Sequence, residues 1–178
     1  MKSSGNYSVV LILLLLLDLR SHAQETGPRQ IAKSEEQTPV VVFVCEHGSA
    51  KSVLAAAHFN DLARKRGMRL RAISRGTNPD EKIAPSVAKG LQADGLDVGV
   101  EKPARLSPED ASGAIRVIAF CPLPKGYLGS VPIEEWKDVP STSEDYSKAR
   151  ENIVERVQHL LDELKAVTGQ KRRAPGEK

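Results

Sequence analysis

Val40-Val41-Val42-Phe43-Val44-Cys45-Glu46-His47-Gly48-Ser49-Ala50-Lys51-Ser52 is the stretch on which the reading of this chain turns. Five apolar residues, four of them β-branched, run without alternation into Cys45, as in a strand buried on both faces. A short polar loop with one glycine follows. Lys51-Ser52 then opens an Ala- and Leu-rich stretch, Val53 to Arg66, with helical character. Strand, tight loop and helix start are therefore contiguous, with a thiol on the last strand residue. Backbone N–H groups of such a loop converge on one point, and the helix dipole adds partial positive charge there. That point suits an oxyanion. A lone cysteine ending a buried strand is by default a small core hydrophobe. The glycine, the Lys-Ser pair and the cysteine in one register argue beyond that default. A nucleotide-binding Gly-x4-Gly-Lys-Ser/Thr loop does not fit, because Cys45 and Ala50 stand where its two glycines belong.

The spacing Cys-x5-Lys-Ser resembles the Cys-x5-Arg-Ser/Thr phosphate loop of the low-molecular-weight phosphotyrosine phosphatases. The thioredoxin-coupled arsenate reductases share that loop and fold. The resemblance implies that Cys45 is a nucleophile and that Ser52 hydrogen-bonds its thiolate. It also implies that Glu46, His47, Gly48, Ser49, Ala50 and Lys51 form the substrate cradle. The chain departs from the family at His47-Gly48, where Gly-Asn is usual, and at Lys51, where Arg is usual. A second block, Ile73-Ser74-Arg75-Gly76-Thr77-Asn78-Pro79, then Ile83-Ala84-Pro85 and Gly95-Leu96-Asp97, is similar to the family's Ser-Ala-Gly-Thr region. Here Arg75 replaces a small residue.

Composition bounds the rest. The chain has 178 residues, 40% hydrophobic and 28% charged, enough for one globular domain. Its net charge of +3 gives no argument for nucleic acid. Residues 1–23 read as a secretory signal peptide: Lys2, an apolar run from Val9 to Leu17, then Ser21-His22-Ala23 before Gln24. The expected location is periplasmic or extracellular, with no membrane partner once the leader is removed. Gln24 to Thr38 reads as a disordered linker, 39–168 as the domain, and 169–178 as a basic tail. Export implies an oxidising compartment, in which Cys45 and Cys121 could pair.

Along the domain, Leu70 to Ser74 is an expected strand, and Pro85 to Ala93 a helix ended near Gly95. Ala104-Arg105-Leu106 is a short strand candidate. Ser107-Pro108-Glu109-Asp110 has the N-cap, proline and first-turn acids of a short helix. Ile115 to Cys121 is another apolar strand. Pro122 to Pro140 reads as one long loop. Ser141 to Glu144 fits a capping box for a last helix whose apolar residues recur from Ile153 to Val167, with Gly169 as its stop. Helices alternating with apolar strands predict βαβ units. The resemblance specifies them as a three-layer α/β/α sandwich with a four-stranded parallel sheet.

A cysteine in an anion cradle can attack a phosphomonoester, and the leaving oxygen then needs a proton. The resemblance points to Asp138, in Trp136-Lys137-Asp138-Val139-Pro140, where the family has Asp-Pro without the inserted residue. The function implied is a protein-tyrosine-phosphatase-like hydrolase acting on a phosphorylated protein or a small phosphomonoester. It needs no cofactor, and no His/Cys/Asp cluster has metal-ligand spacing. Lys51 would make it slow, since Lys offers a point charge where Arg offers a fork matched to two oxygens. Two alternatives stand: an arsenate reductase-like enzyme with Cys121 as redox partner, or an inactive oxyanion-binding module. The first lacks the family's third cysteine over positions 122–130.

Overall fold

The computed structural model describes residues 38–97, 102–124 and 130–171, with side chains as far as 166. The leader at 1–23, all of the linker but Thr38, and residues 172–178 of the tail lie outside the described residues. The elements are β1 (Val40–Cys45), α1 (Lys51–Lys65), β2 (Arg71–Gly76), α2 (Pro85–Ala93), α3 (Pro108–Ser112), β3 (Ala114–Ala119), β4 (Ile133–Glu135) and α4 (Tyr146–Lys171).

The four strands form one sheet in the order β2-β1-β3-β4, and all neighbours run parallel. β1 is central, with Val44 opposite both Arg75 and Ala119. Its unbroken apolar run follows from that position. Val41, Phe43 and Cys45 face a core built with Leu54, Phe59, Val87, Leu91, Ile153 and Leu161 from α1, α2 and α4. Val42 and Val44 face the other side, against Leu106 and Val117. Phe43 is the centre of the larger core, with ring centroids of Phe59 and Trp136 each at 5.9 Å. Truncating such a residue to alanine typically costs about 3–5 kcal/mol.

Local signals place the ends. Ser107 Oγ accepts from Asp110 N–H while the Asp110 carboxylate accepts from Ser107 N–H, so α3 starts on a reciprocal cap. Arg75 adds a two-pronged ion pair to the same carboxylate, at 2.8 and 2.9 Å. The position that is small in the family thus carries a tie between β2 and α3.

Five expectations are corrected. Ala104 to Leu106 makes only an isolated bridge, Gly76 to Arg105. The fourth strand is instead Ile133–Glu135, inside the expected long loop. β3 ends at Ala119, so Cys121 lies past the strand rather than on its last residue. The last helix is capped by Asp145, whose carboxylate accepts from Lys148 N–H, not by Ser141, and it runs through Gly169. Ser141 Oγ meets Ser143 Oγ at 2.7 Å in the turn before it.

Candidate active site

The loop from Cys45 to Ser52 takes its shape from the segment that follows β2. Thr77 N–H donates to the Cys45 carbonyl (3.1 Å), Asn78 N–H to Glu46 (2.8 Å), Asp80 N–H to His47 (3.0 Å) and Ala84 N–H to Ser49 (3.0 Å). The loop carbonyls therefore face outward, toward residues 77–84. In a trans peptide the C=O and the next N–H point in opposite directions. The N–H groups of Glu46, His47, Gly48 and Ala50 accordingly face the other way, into the loop. Gly48 shows this directly: its N–H reaches the Cys45 sulfur at 3.2 Å.

Gly48 explains one departure from the family. Its φ is +59°, a left-handed conformation that glycine adopts freely and asparagine tolerates. A Cβ there would also meet the backbone nitrogen of Gly76 at 2.8 Å. His47-Gly48 thus supplies a left-handed residue at the third position after the cysteine.

Cys45 is only 6% exposed, yet its sulfur is not an inert core group. It sits under the loop, with Ser52 Oγ at 3.1 Å beside the Gly48 N–H. Directly after the loop, α1 begins with no side-chain cap and no acid in its first turn. An uncapped helix start leaves N–H groups for an external acceptor, and an anion is the natural one.

The remaining expected site residues are arranged differently. Lys51 Nζ donates to the Val139 carbonyl at 2.8 Å, so its charge tethers the loop around Asp138. Asp138 is 70% exposed and pairs with Arg156 Nη2 at 2.5 Å. The Arg156 guanidinium holds that carboxyl below the ordinary aspartate range. A proton donor needs the opposite shift. Arg156 also lies over the buried Trp136 ring, 5.7 Å from its centroid, which fixes where the carboxylate is drawn.

Cys121 is half-buried and free, as is Cys45. Burial pushes the Cys121 thiol up, more than a hydrogen bond with the Thr77 side chain brings it down, and the neighbouring Cys45 and Glu46 push it further. The two thiols are therefore neighbours with different characters. Cys45 is hydrogen-bonded by the loop, and Cys121 is kept protonated beside it.

Sequence reasoning missed Asp80. Its carboxylate accepts from Ser49 Oγ at 2.6 Å and lies 3.2 Å from His47 Nδ1. The only sequence signal was composition, an aspartate in a Gly-Thr-Asn-Pro turn.

The chain is similar to known proteins in sequence and in fold. Residues 40–151 match the family model described as low molecular weight phosphotyrosine protein phosphatase. No curated protein matches the chain. Among solved structures, YfkJ from Bacillus subtilis aligns at 21% identity over 77% of this chain and 98% of its own, with a TM-score of 0.65. A low molecular weight protein tyrosine phosphatase from T. tengcongensis aligns at 23% identity, 70% and 99% coverage, and a TM-score of 0.64. An arsenate reductase from Archaeoglobus fulgidus aligns at 27% identity, 68% and 98% coverage, and a TM-score of 0.54.

Proposed function

This chain belongs to the low molecular weight phosphotyrosine protein phosphatase family, and from that premise we propose that it hydrolyses phosphomonoesters through Cys45. The supporting observation is the outward-facing set of loop carbonyls, with the Gly48 N–H already on the sulfur. In this reading the phosphoryl group sits on the amides of Glu46, His47, Gly48 and Ala50. The Cys45 thiolate attacks phosphorus, an S–P bond forms and the P–O ester bond breaks. The leaving oxygen takes a proton from Asp138. Water then cleaves the S–P bond, releasing inorganic phosphate and restoring the thiolate.

Two features make the reaction slow. Lys51 is engaged with Val139 and offers one charge rather than a fork. Losing one well-placed transition-state donor typically costs about 10²–10³ in rate. Asp138 is ionised and turned to Arg156, so it must leave that partner and take up a proton before it can serve.

Cys121 favours a second reading, arsenate reduction, because it lies near Cys45 and Glu46. One assay separates the readings. Reduced protein is incubated with para-nitrophenyl phosphate, and separately with arsenate plus an external thiol. Hydrolysis that disappears in Cys45→Ser supports the phosphatase. Arsenite formation that needs both Cys45 and Cys121 supports the reductase. Anion binding without either product leaves an oxyanion-binding module.

A further inference from the structure

Asp80 touches the anion loop at three points. Its backbone N–H donates to the His47 carbonyl at 3.0 Å. One carboxylate oxygen accepts the Ser49 hydroxyl at 2.6 Å, and the other lies 3.2 Å from His47 Nδ1. The two ends differ in exposure. Ser49 is 3% exposed, so its hydroxyl has little water to turn to if the carboxylate is removed. The Asp80 side chain is 48% exposed and stands at the rim.

Taking the loop as an oxyanion site, the reading on which this rests, we infer that Asp80 is a positioning residue for that site. It holds Ser49 and His47 on the outer side of the loop, and so keeps the Gly48 and Ala50 amides that follow them turned inward. Ser49 and His47 flank Gly48, whose N–H reaches the sulfur. A slack Ser49 would let the Gly48 and Ala50 peptides rotate, and the cradle would lose preorganised donors.

Coulomb's law makes the opposite demand. A carboxylate beside a bound dianion repels it, so removing the charge alone should tighten anion binding. The two roles therefore predict opposite signs for Asp80→Ala. Asp80→Asn removes the charge but keeps an oxygen to accept the Ser49 hydroxyl.

The experiment reads the inorganic phosphate concentration that halves the rate of Cys45 alkylation by iodoacetamide, with the labelled cysteine located by mass spectrometry. It is run on reduced wild type, Asp80→Ala, Asp80→Asn and Ser49→Ala. The expected result is that Asp80→Ala needs about tenfold more phosphate, the size of one lost charge-assisted hydrogen bond. Asp80→Asn should need no more than wild type, and the thermal midpoints of Asp80→Asn and wild type should agree. If Asp80→Ala does not fold, Ser49→Ala carries the test, with about tenfold weaker protection expected. Tighter protection in both Asp80 variants would show a charge effect only and overturn the inference. So would equal protection in wild type, Asp80→Ala and Ser49→Ala. No phosphate protection in wild type is a different failure, because it removes the oxyanion site itself.

Discussion

The loop at 45–52 and the loop at 136–140 were both expected to act on one substrate, yet they are held in opposite ways. In the first, neighbouring backbone fixes four carbonyls outward, and the Gly48 N–H meets the sulfur. In the second, the buried Trp136 and Val139 anchor a turn whose acid, Asp138, is drawn to Arg156 on α4. Lys51 joins the two, but through the Val139 carbonyl rather than through a substrate oxygen. Under the proposed function, the loop that would bind the anion is already shaped by backbone contacts, whereas Asp138, the proposed proton donor, is paired with Arg156.

The largest effect is expected from distorting the loop at 45–52. Gly48→Ala puts a Cβ against the Gly76 backbone at a left-handed φ. It should lower phosphatase kcat/KM by about 100-fold or more, as for the loss of an oxyanion donor. It should also cost about 1–2 kcal/mol of stability from the left-handed conformation. Steady-state kinetics with denaturant unfolding checks both. The next test strengthens the joint. Lys51→Arg should raise kcat about tenfold or more, by restoring a two-pronged donor. A variant no faster than wild type would mean that residue 51 does not reach the phosphoryl group.

Freeing the restrained half should have a smaller effect. Arg156→Gln removes the cation that holds the Asp138 carboxyl below its ordinary range. Its pKa then rises, a larger fraction is protonated in mild acid, and hydrolysis at pH 5 should increase by a few-fold. The pH–rate profile reads this, and the gain should fade toward neutrality. The last variant leaves both loops alone. Asp94 bonds to Arg150 in two-pronged fashion at 2.6 and 2.8 Å, and lies 3.3 Å from His58. The Arg150 hydrogen bonds hold its carboxyl below the ordinary range, outweighing the opposing effect of burial. A depressed carboxyl stabilises the fold above its unfolded pKa, about 4, and that stability is lost as pH falls through the lower folded value. Asp94→Asn should therefore be about 1–3 kcal/mol less stable at pH 7, lose less of its remaining stability in acid, and keep kcat within twofold. Thermal melts across pH check the sign.

How much of this was legible in the sequence depended on whether the signal was local. β1 could be read because a central parallel strand must be apolar on both faces. α2 and α3 could be read because Pro85, Ser107 and Pro108 mark helix starts by their own chemistry. β4 could not. Ile133-Glu134-Glu135 is three residues at a sheet edge, with no apolar run to show it. Ser141 looked like the cap of the last helix because its spacing to Glu144 was right, but Asp145 is better placed and takes the Lys148 N–H. In the site, Cys45, Gly48 and Ser52 belong to one contiguous motif. The partner of Lys51 is a carbonyl 88 residues away, and that of Ser49 is an acid 31 residues away. No pattern within one segment encodes those pairings. They follow from the sheet order that brings the segments together.

Under the proposed function, the amides of Glu46, His47, Gly48 and Ala50 form a receptor for a tetrahedral anion above the Cys45 sulfur. Titrating reduced, 15N-labelled protein with inorganic phosphate and following backbone amide resonances tests it residue by residue. Saturable shifts, largest at those four amides and following one binding curve, are the predicted result. Shifts that fail to saturate, or that fall on exposed basic side chains while the four amides stay still, would contradict it.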